Sequence, residues 1–291
     1  MGATIEGIGR DVDLPRTEGE RWVEELLNEL RYARFKPAAW IRFFSASFAR
    51  ARQTRTEQAR AHRQVVALGA VGIAAWAVVA GSGWPMLAAV AAGWWMLVLL
   101  MADWHLGMLE RVDGRRPAGL GVANMLTLLR AGAIPLLAVL APTALGLAVL
   151  AAGLSDVADG ILARARGEAS RLGAWLDGAV DGILLSVAAV AAGNRGLLPA
   201  WVAALIVCRY MAPWPAIAGV YFIRAHAPGH EGYVSGRAPG VVLLVGLALA
   251  AFGVPGAAWV AAAGALAGLA SFGATIVLAG SKRATQQPEL R

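Results

Sequence analysis

The sequence predicts an all-α integral membrane protein: a six-helix transmembrane core, an extra transmembrane hairpin before it, and an amphipathic N-terminal region outside the bilayer. Three observations predict this. Only 15% of the 291 residues are charged, where a soluble domain carries about 25%. The mean hydropathy is +0.59. Apolar stretches recur at 66–82, 85–103, 120–141, 144–165, 173–193, 198–223, 239–254 and 257–280, each near the ~20 residues that cross a bilayer.

Residues 1–64 form the long polar region. The first thirty residues hold Glu18, Glu20, Glu24, Glu25 and Glu29 and no apolar run, so no signal peptide is expected. From Arg31 to Arg63 there are nine Lys or Arg and one acid, Glu57, with Trp40, Phe43, Phe44 and Phe48 at helical spacing among them. This pattern suits an amphipathic helix on an anionic membrane surface, or a small helical domain packed on the rest of the chain. The net charge of +7 would suit nucleic acid in isolation. Its placement beside apolar spans points to membrane lipids, and no nucleic-acid partner is expected.

The connectors fix an expected topology. Those at 31–63, Arg111 to Arg116, Arg164 to Arg171, Arg224 to Arg237 and Lys282–Arg283 are basic, while the alternating set is nearly uncharged. Positive loops stay inside, which puts both termini in the cytoplasm of a multi-pass protein of the cell's inner membrane. Trp84, Trp104 and Trp201 fall near span ends, where interfacial tryptophan is favoured. The expected division is 1–64 as surface region, 65–110 as added hairpin, 111–283 as core and 284–291 as tail. Cys208 lies in an apolar stretch and reads as a small buried hydrophobe.

Ionisable side chains inside spans are costly and mark function by default. Asp156 and Asp159 lie near the end of one span, Asp177 and Asp181 near the start of the next. Spacings of i, i+3 and i, i+4 put each pair on one helix face, and a connector of about eight residues makes the two helices antiparallel neighbours. Four carboxylates then converge at one depth and repel one another in a low dielectric. Protonation is one remedy. Hard divalent cations, which prefer oxygen ligands, are the better one. Mg²⁺ or Mn²⁺ is expected, as a pair that stabilises charge on a diphosphate.

The run Asp156-Val-Ala-Asp159-Gly160-Ile-Leu-Ala163-Arg164, then eight residues, Gly173, three residues, Asp177, three residues and Asp181 resembles the signature of the CDP-alcohol phosphotransferase (phosphatidyltransferase) family. All eight of its fixed positions are present. Upstream, Asn124-Met-Leu-Thr127-Leu-Leu-Arg130 is similar to the family's first core helix, with Ala123 where proline is common. The resemblance covers about 119 to 281. It implies transfer of a phosphatidyl group from CDP-diacylglycerol to an alcohol, with release of CMP. It implies Asp156, Asp159 and Asp177 as metal ligands and Asp181 as general base and further ligand. It implies Gly160, Ala163 and Gly173 as small residues against the nucleotide. Asn124, Thr127 and Arg164 are expected nucleotide or phosphate contacts, with Thr127 and Asn124 able instead to hold neighbouring groups, and Arg164 to order the acids. Arg209, followed by Tyr210 where the family often has an acid, and Arg237 are expected acceptor or phosphate contacts. Glycerol 3-phosphate, an inositol phosphate, phosphatidylglycerol and serine all fit the reaction class, and the two arginines tilt toward a phosphorylated acceptor such as glycerol 3-phosphate or an inositol phosphate.

His226 and His230 with Glu231 flank Pro228 and Gly229, which break a helix, so a solvated loop is expected. Gly264 and Gly268 form a small-xxx-small pair, read as a homodimer seam or as packing within the bundle. Gly178 and Gly182 repeat the spacing and read as packing of the two acidic helices. Two other functions compete with transfer: an intramembrane cation transporter, and a non-catalytic membrane scaffold. A conduit places acids near mid-membrane; here they lie near one end, and all four are intact.

Overall fold

The structure is a computed structural model and describes residues 18–111, 114–224 and 237–285. Its named elements are helices: α1 (Glu18–Tyr32), α2 (Pro37–Glu57), α3 (Ala59–Gly81), α4 (Pro85–Trp104), α5 (Gly121–Ala133), α6 (Pro142–Ala165), α7 (Arg171–Asn194), α8 (Ala200–Met211), α9 (Pro213–Arg224), α10 (Arg237–Ala251) and α11 (Ala257–Thr285). Seven helical segments are long and apolar enough to cross a membrane. They are α3, α4, α5 with its following turn, α6, α7, α8 running into α9, and the first part of α11. The stretch expected at 239–254 forms α10, apolar but 15 residues long.

Two of the expected spans are broken by proline. The stretch 120–141 is helical as α5 only to Ala133, and then tightens into a 3-10 turn over Ile134–Ala138. Pro135 has no N–H to give the Ala131 carbonyl four residues back. The Trp94 indole of α4 donates to that carbonyl at 2.8 Å. The stretch 198–223 breaks between α8 and α9 at Pro213. Elsewhere proline starts helices, as Pro142 does for α6 after Ala141, since the first N–H of a helix has no partner anyway.

The core is laid around α7. Val180, Leu184, Leu185, Ala188, Ala189 and Ala192 of this helix are buried in one apolar cluster with residues of α6, α8, α10 and α11. Over half of its apolar window is enclosed by the chain, against under a fifth for α3. Large exposed side chains on the outer helices, such as Leu147, Leu154, Val242 and Leu266, suit a hydrocarbon solvent, in which the backbone must be satisfied by the helix itself. Small residues let the helices touch. A side chain at Gly246 of α10 would strike the backbone of Ala261 in α11, and one at Gly264 the backbone of Leu243. Gly268 lies against the Arg209 side chain. Of the two readings of the Gly264–Gly268 pair, packing within the chain is the one seen. Gly182 packs on Tyr210, whereas Gly178 has open space before it. Cys208 is exposed on α8, correcting the expectation of burial; facing hydrocarbon costs a small apolar thiol little.

A second apolar cluster joins the α3–α4 hairpin to α5 and α7 through Val65, Trp95, Leu99, Leu128, Leu172 and Leu176. The Trp95 indole donates to the Leu68 carbonyl at 3.1 Å, and its ring covers Gly72 and Gly132. Asp103, at the end of α4, is buried. It accepts from Arg55 Nε at 2.6 Å, and its other oxygen lies 2.7 Å from His62 Nδ1. These contacts tie the ends of α2 and α4 to the start of α3.

The N-terminal helices pack on the rest of the chain, as the second of the two expectations has it. Leu26, Leu27, Leu30, Ala39 and Phe43 make a small core of their own. Trp40 meets Phe222 of α9 with tilted rings at 5.4 Å and Phe43 meets it edge-on at 6.1 Å, and Glu20 pairs with Arg171 at the start of α7. Ile41, Phe44 and Phe48 remain exposed on α2, and Phe48 reaches Trp104 of α4 at 5.8 Å. His226, His230 and Glu231 lie outside the described residues, as do the side chains of Arg237, Lys282 and Arg283.

The α10–α11 contact yields a paired prediction. Gly246→Leu forces two backbones apart and costs about 1–3 kcal/mol, as overpacking does. Gly93→Leu, which meets nothing within 4 Å, leaves thermal unfolding in detergent nearly unchanged.

Candidate active site

The acids reach one place because the end of α6 and the start of α7 are tied. Helix α6 ends through Gly167 in the left-handed conformation (φ 60°), with Glu168 N–H bonding back to the Ala163 carbonyl, a Schellman-type stop. Helix α7 starts on Ser170, whose hydroxyl accepts from Gly173 N–H at 3.1 Å, satisfying a helix-start donor. The five residues between the helices leave Asp156, Asp159, Asp177 and Asp181 at the same end of the bundle. One carboxylate oxygen each from Asp156, Asp159 and Asp177 lies within 4.8 Å of the others. Asp159 is buried and the other three half-buried.

The side chain at the centre of these acids is Arg130 of α5. Its Nη2 lies 2.6 Å from Asp177 Oδ1, 3.1 Å from Asp181 Oδ1 and 3.5 Å from Asp156 Oδ1. Its Nη1 lies 3.4 Å from Asp159 Oδ2. Arg130 is only 4% exposed, and its Nε is buried without a hydrogen-bond partner. The resemblance over α5 includes Arg130 and implies no role for it. A signal existed: an arginine inside an apolar span requires an acid or a wet cavity.

The other residues of the α5 motif hold the site from behind. The Thr127 hydroxyl lies 3.2 Å from both Asp159 Oδ2 and the Ala123 carbonyl. Asn124 is buried, donates to the Leu120 carbonyl at 2.6 Å, and reaches Ser170 Oγ at 3.5 Å. A Cβ on Gly173 would come within 2.5 Å of Asn124 Oδ1. Gly173 is therefore small because α5 and α7 approach there, whatever else uses the space. Glu168, missed in the sequence, accepts from Val122 N–H at 3.1 Å. A carboxylate there is favoured by the free donors and dipole of the α5 start.

Gly160 and Ala163 lie half-buried in the last two turns of α6. The Arg164 guanidinium folds back over Gly160, with Nη1 3.4 Å from where a Cβ would stand. Arg164 is exposed, and the cation between the acids is Arg130. Arg209 lies between α8 and α11, its guanidinium 5.1 Å from the Tyr210 ring. Tyr210 in turn touches Gly182, the residue after Asp181. Helix α10 starts at Arg237.

The donor set tests the metal expectation. It is all carboxylate, in reach of a common point, and without cysteine or histidine, which suits Mg²⁺ or Mn²⁺ and not a soft metal. The residues fit a hard divalent ion.

Comparisons with known proteins agree with this chemistry. The family model described as CDP-alcohol phosphatidyltransferase matches residues 120–279. Proteins named "Putative cardiolipin synthase" from Mycobacterium bovis and from Mycobacterium tuberculosis are 37% identical over 95 residues, which are 31% of this chain. The match spans 46% of the length of these curated relatives. No solved structure matches. With more than half of the chain matched, the acid-bearing helices included, this protein belongs to the CDP-alcohol phosphatidyltransferase family.

Proposed function

We propose that the protein transfers a phosphatidyl group from CDP-diacylglycerol to an alcohol and releases CMP. The observation that carries this reading is the convergence of Asp156, Asp159, Asp177 and Asp181 at one end of two antiparallel helices, within a family defined by that activity. The acceptor oxygen bonds to the lipid-bearing β-phosphorus, and the bond from that phosphorus to CMP breaks. CMP leaves with the electron pair, and the acceptor's proton passes to Asp181. Such a step depends on placement and charge stabilisation more than on covalent help.

Asp156, Asp159 and Asp177 hold divalent ions in this reading, with Asp181 at their edge. Bound there, the ions supply countercharge to the diphosphate and the leaving CMP. Thr127 aims Asp159, and Asn124 with Ser170 fixes the start of α7. Gly160 and Ala163 leave room for the nucleotide beside the chain, and Arg164 lies over Gly160 within reach of a phosphate there.

The acceptor in this reading carries a phosphate of its own, met by Arg209 beside Tyr210 and Gly182, with Arg237 contributing from α10. Glycerol 3-phosphate and inositol phosphate share that chemistry. So does phosphatidylglycerol, an acceptor that the name of the mycobacterial relatives favours. The site and both termini lie on the cytoplasmic side of the inner membrane. The exposed Ile41, Phe44 and Phe48, with Arg42 and Arg52 nearby, rest on anionic headgroups.

Three outcomes are expected. Asp181→Asn retains CDP-diacylglycerol binding, while CMP release falls about a hundredfold or more, the usual scale for loss of a general base. Turnover near wild type removes Asp181 from that role. Chelation with EDTA stops CMP release and Mg²⁺ or Mn²⁺ restores it; activity that persists in EDTA defeats the metal reading. Offered glycerol 3-phosphate, inositol phosphate, phosphatidylglycerol and serine in turn, the purified protein releases CMP with a phosphate-bearing acceptor. Arg209→Ala then raises KM for that acceptor more than it lowers kcat. Turnover with serine alone overturns the acceptor assignment.

A further inference from the structure

Away from the acid cluster, the α3–α4 hairpin holds a groove of about 470 Å³ along its outer side. Its walls are one stripe from each helix: Val66, Gly69, Ala70 and Ile73 of α3, and Met96 and Leu100 of α4. Spacings of three and four residues put each stripe on one helix face. Val66, Ile73, Met96 and Leu100 are exposed, while Gly69 is buried and gives the groove a floor without a side chain. Both helices are long and apolar enough to cross a membrane, so the medium that meets these walls is hydrocarbon.

The groove turns polar at one end. His62 and Asp103 line it there, beside the basic stretch 31–63. The charge of Asp103 is already answered by Arg55 Nε at 2.6 Å, and its other oxygen lies 2.7 Å from His62 Nδ1. Arg63 is exposed. It stands three residues before Val66 and seven before Ala70, and so shares their face of α3. From His62 to Ile73 the helix rises about 16 Å, which is about half of the ~30 Å hydrocarbon core. The groove therefore runs from a cationic end to about mid-membrane, the depth of one leaflet.

An unbranched acyl chain below an anionic headgroup matches that pattern in length and in charge. A second copy of the protein matches it less well. Copies inserted the same way keep their basic ends on one side of the bilayer, and a two-fold contact sets a patch against itself. Arg63 would then face like charge.

We propose that the α3–α4 groove binds an anionic phospholipid of the bilayer, with one acyl chain between the helices and the headgroup at Arg63. The site lies outside the family-matched segment and is separate from the donor and acceptor positions of the transfer reaction.

The test uses the full-length protein in phosphatidylcholine vesicles that carry a trace of phosphatidylglycerol with a photoactivatable diazirine in its acyl chain. A parallel sample carries phosphatidylcholine with the same diazirine. Mass spectrometry of the digested protein locates the adducts. The phosphatidylglycerol probe marks the α3 and α4 peptides about fivefold more than the phosphatidylcholine probe does, the scale of one Lys or Arg beside an anionic lipid. Position separates this site from the reaction, because a lipid held as acceptor marks α6 and α7. Ala70→Phe, which fills the groove from an exposed position, abolishes the preference. Ala75→Phe, exposed on α3 away from the groove, keeps it. Arg63→Gln lowers it about fivefold. If Ala70→Phe does not fold, Arg63→Gln carries the test: a preference that survives it overturns the proposal. Equal marking by the two probes overturns it too, and leaves the transfer reading intact. So does a disulfide between Met96→Cys copies with no lipid adduct on α3 or α4, the result expected if a second copy covers the groove.

Discussion

Negative charge held inside an apolar bundle must be neutralised, and in this chain the requirement governs where three helices meet. Asp156 and Asp159 come from α6, Asp177 and Asp181 from α7, and Arg130 from α5. None of these groups is cheap in a membrane-spanning segment alone. Together they hold α5, α6 and α7 at one depth, and the supporting contacts point the same way. Thr127 holds Asp159, Ser170 starts α7, and Glu168 caps α5 from the α6–α7 connection. Stability and chemistry thus draw on the same charges, because a bundle that kept its acids apart would lose both.

The rest of the fold supports that site at a distance. Helix α7 is the most enclosed of the apolar helices, so its acids are carried by the least free element of the bundle. The α3–α4 hairpin packs on α5 through Trp94 and Trp95, where the Trp94 indole answers the carbonyl that Pro135 cannot. Helices α1 and α2 connect the start of α7 to the end of α9 through Glu20–Arg171 and the Trp40–Phe222 contact. Residues before the family-matched segment are therefore packed against the helices that carry the acids.

The acid cluster was legible in the sequence because it rests on local geometry. Spacings of three and four residues and a short connector are enough to gather Asp156, Asp159, Asp177 and Asp181. Arg130 was not, since its role depends on which face α5 turns to α6 and α7, and no spacing within α5 states that. The pairing of Asp103 with Arg55 and His62 was hidden for the same reason. Hydropathy located the spans but passed over their breaks at Pro135 and Pro213, although both prolines were in view. The aromatic run of α2 divided in a way that composition does not encode. Trp40 and Phe43 cover α9, and Ile41, Phe44 and Phe48 face outward. At Gly173 the structure adds a packing reason for a small residue, the approach of the Asn124 side chain, which spacing alone does not state.

The most direct test of the account is the spectrum of Mn²⁺ bound to the wild-type protein at two equivalents, set beside that of Asp177→Asn. Carboxylates from two helices gathering a pair of ions predict a spin-coupled signal, as close-lying metals of a shared site give, and its loss in the variant. A hydrated, isolated Mn²⁺ signal that is the same in both proteins would contradict it.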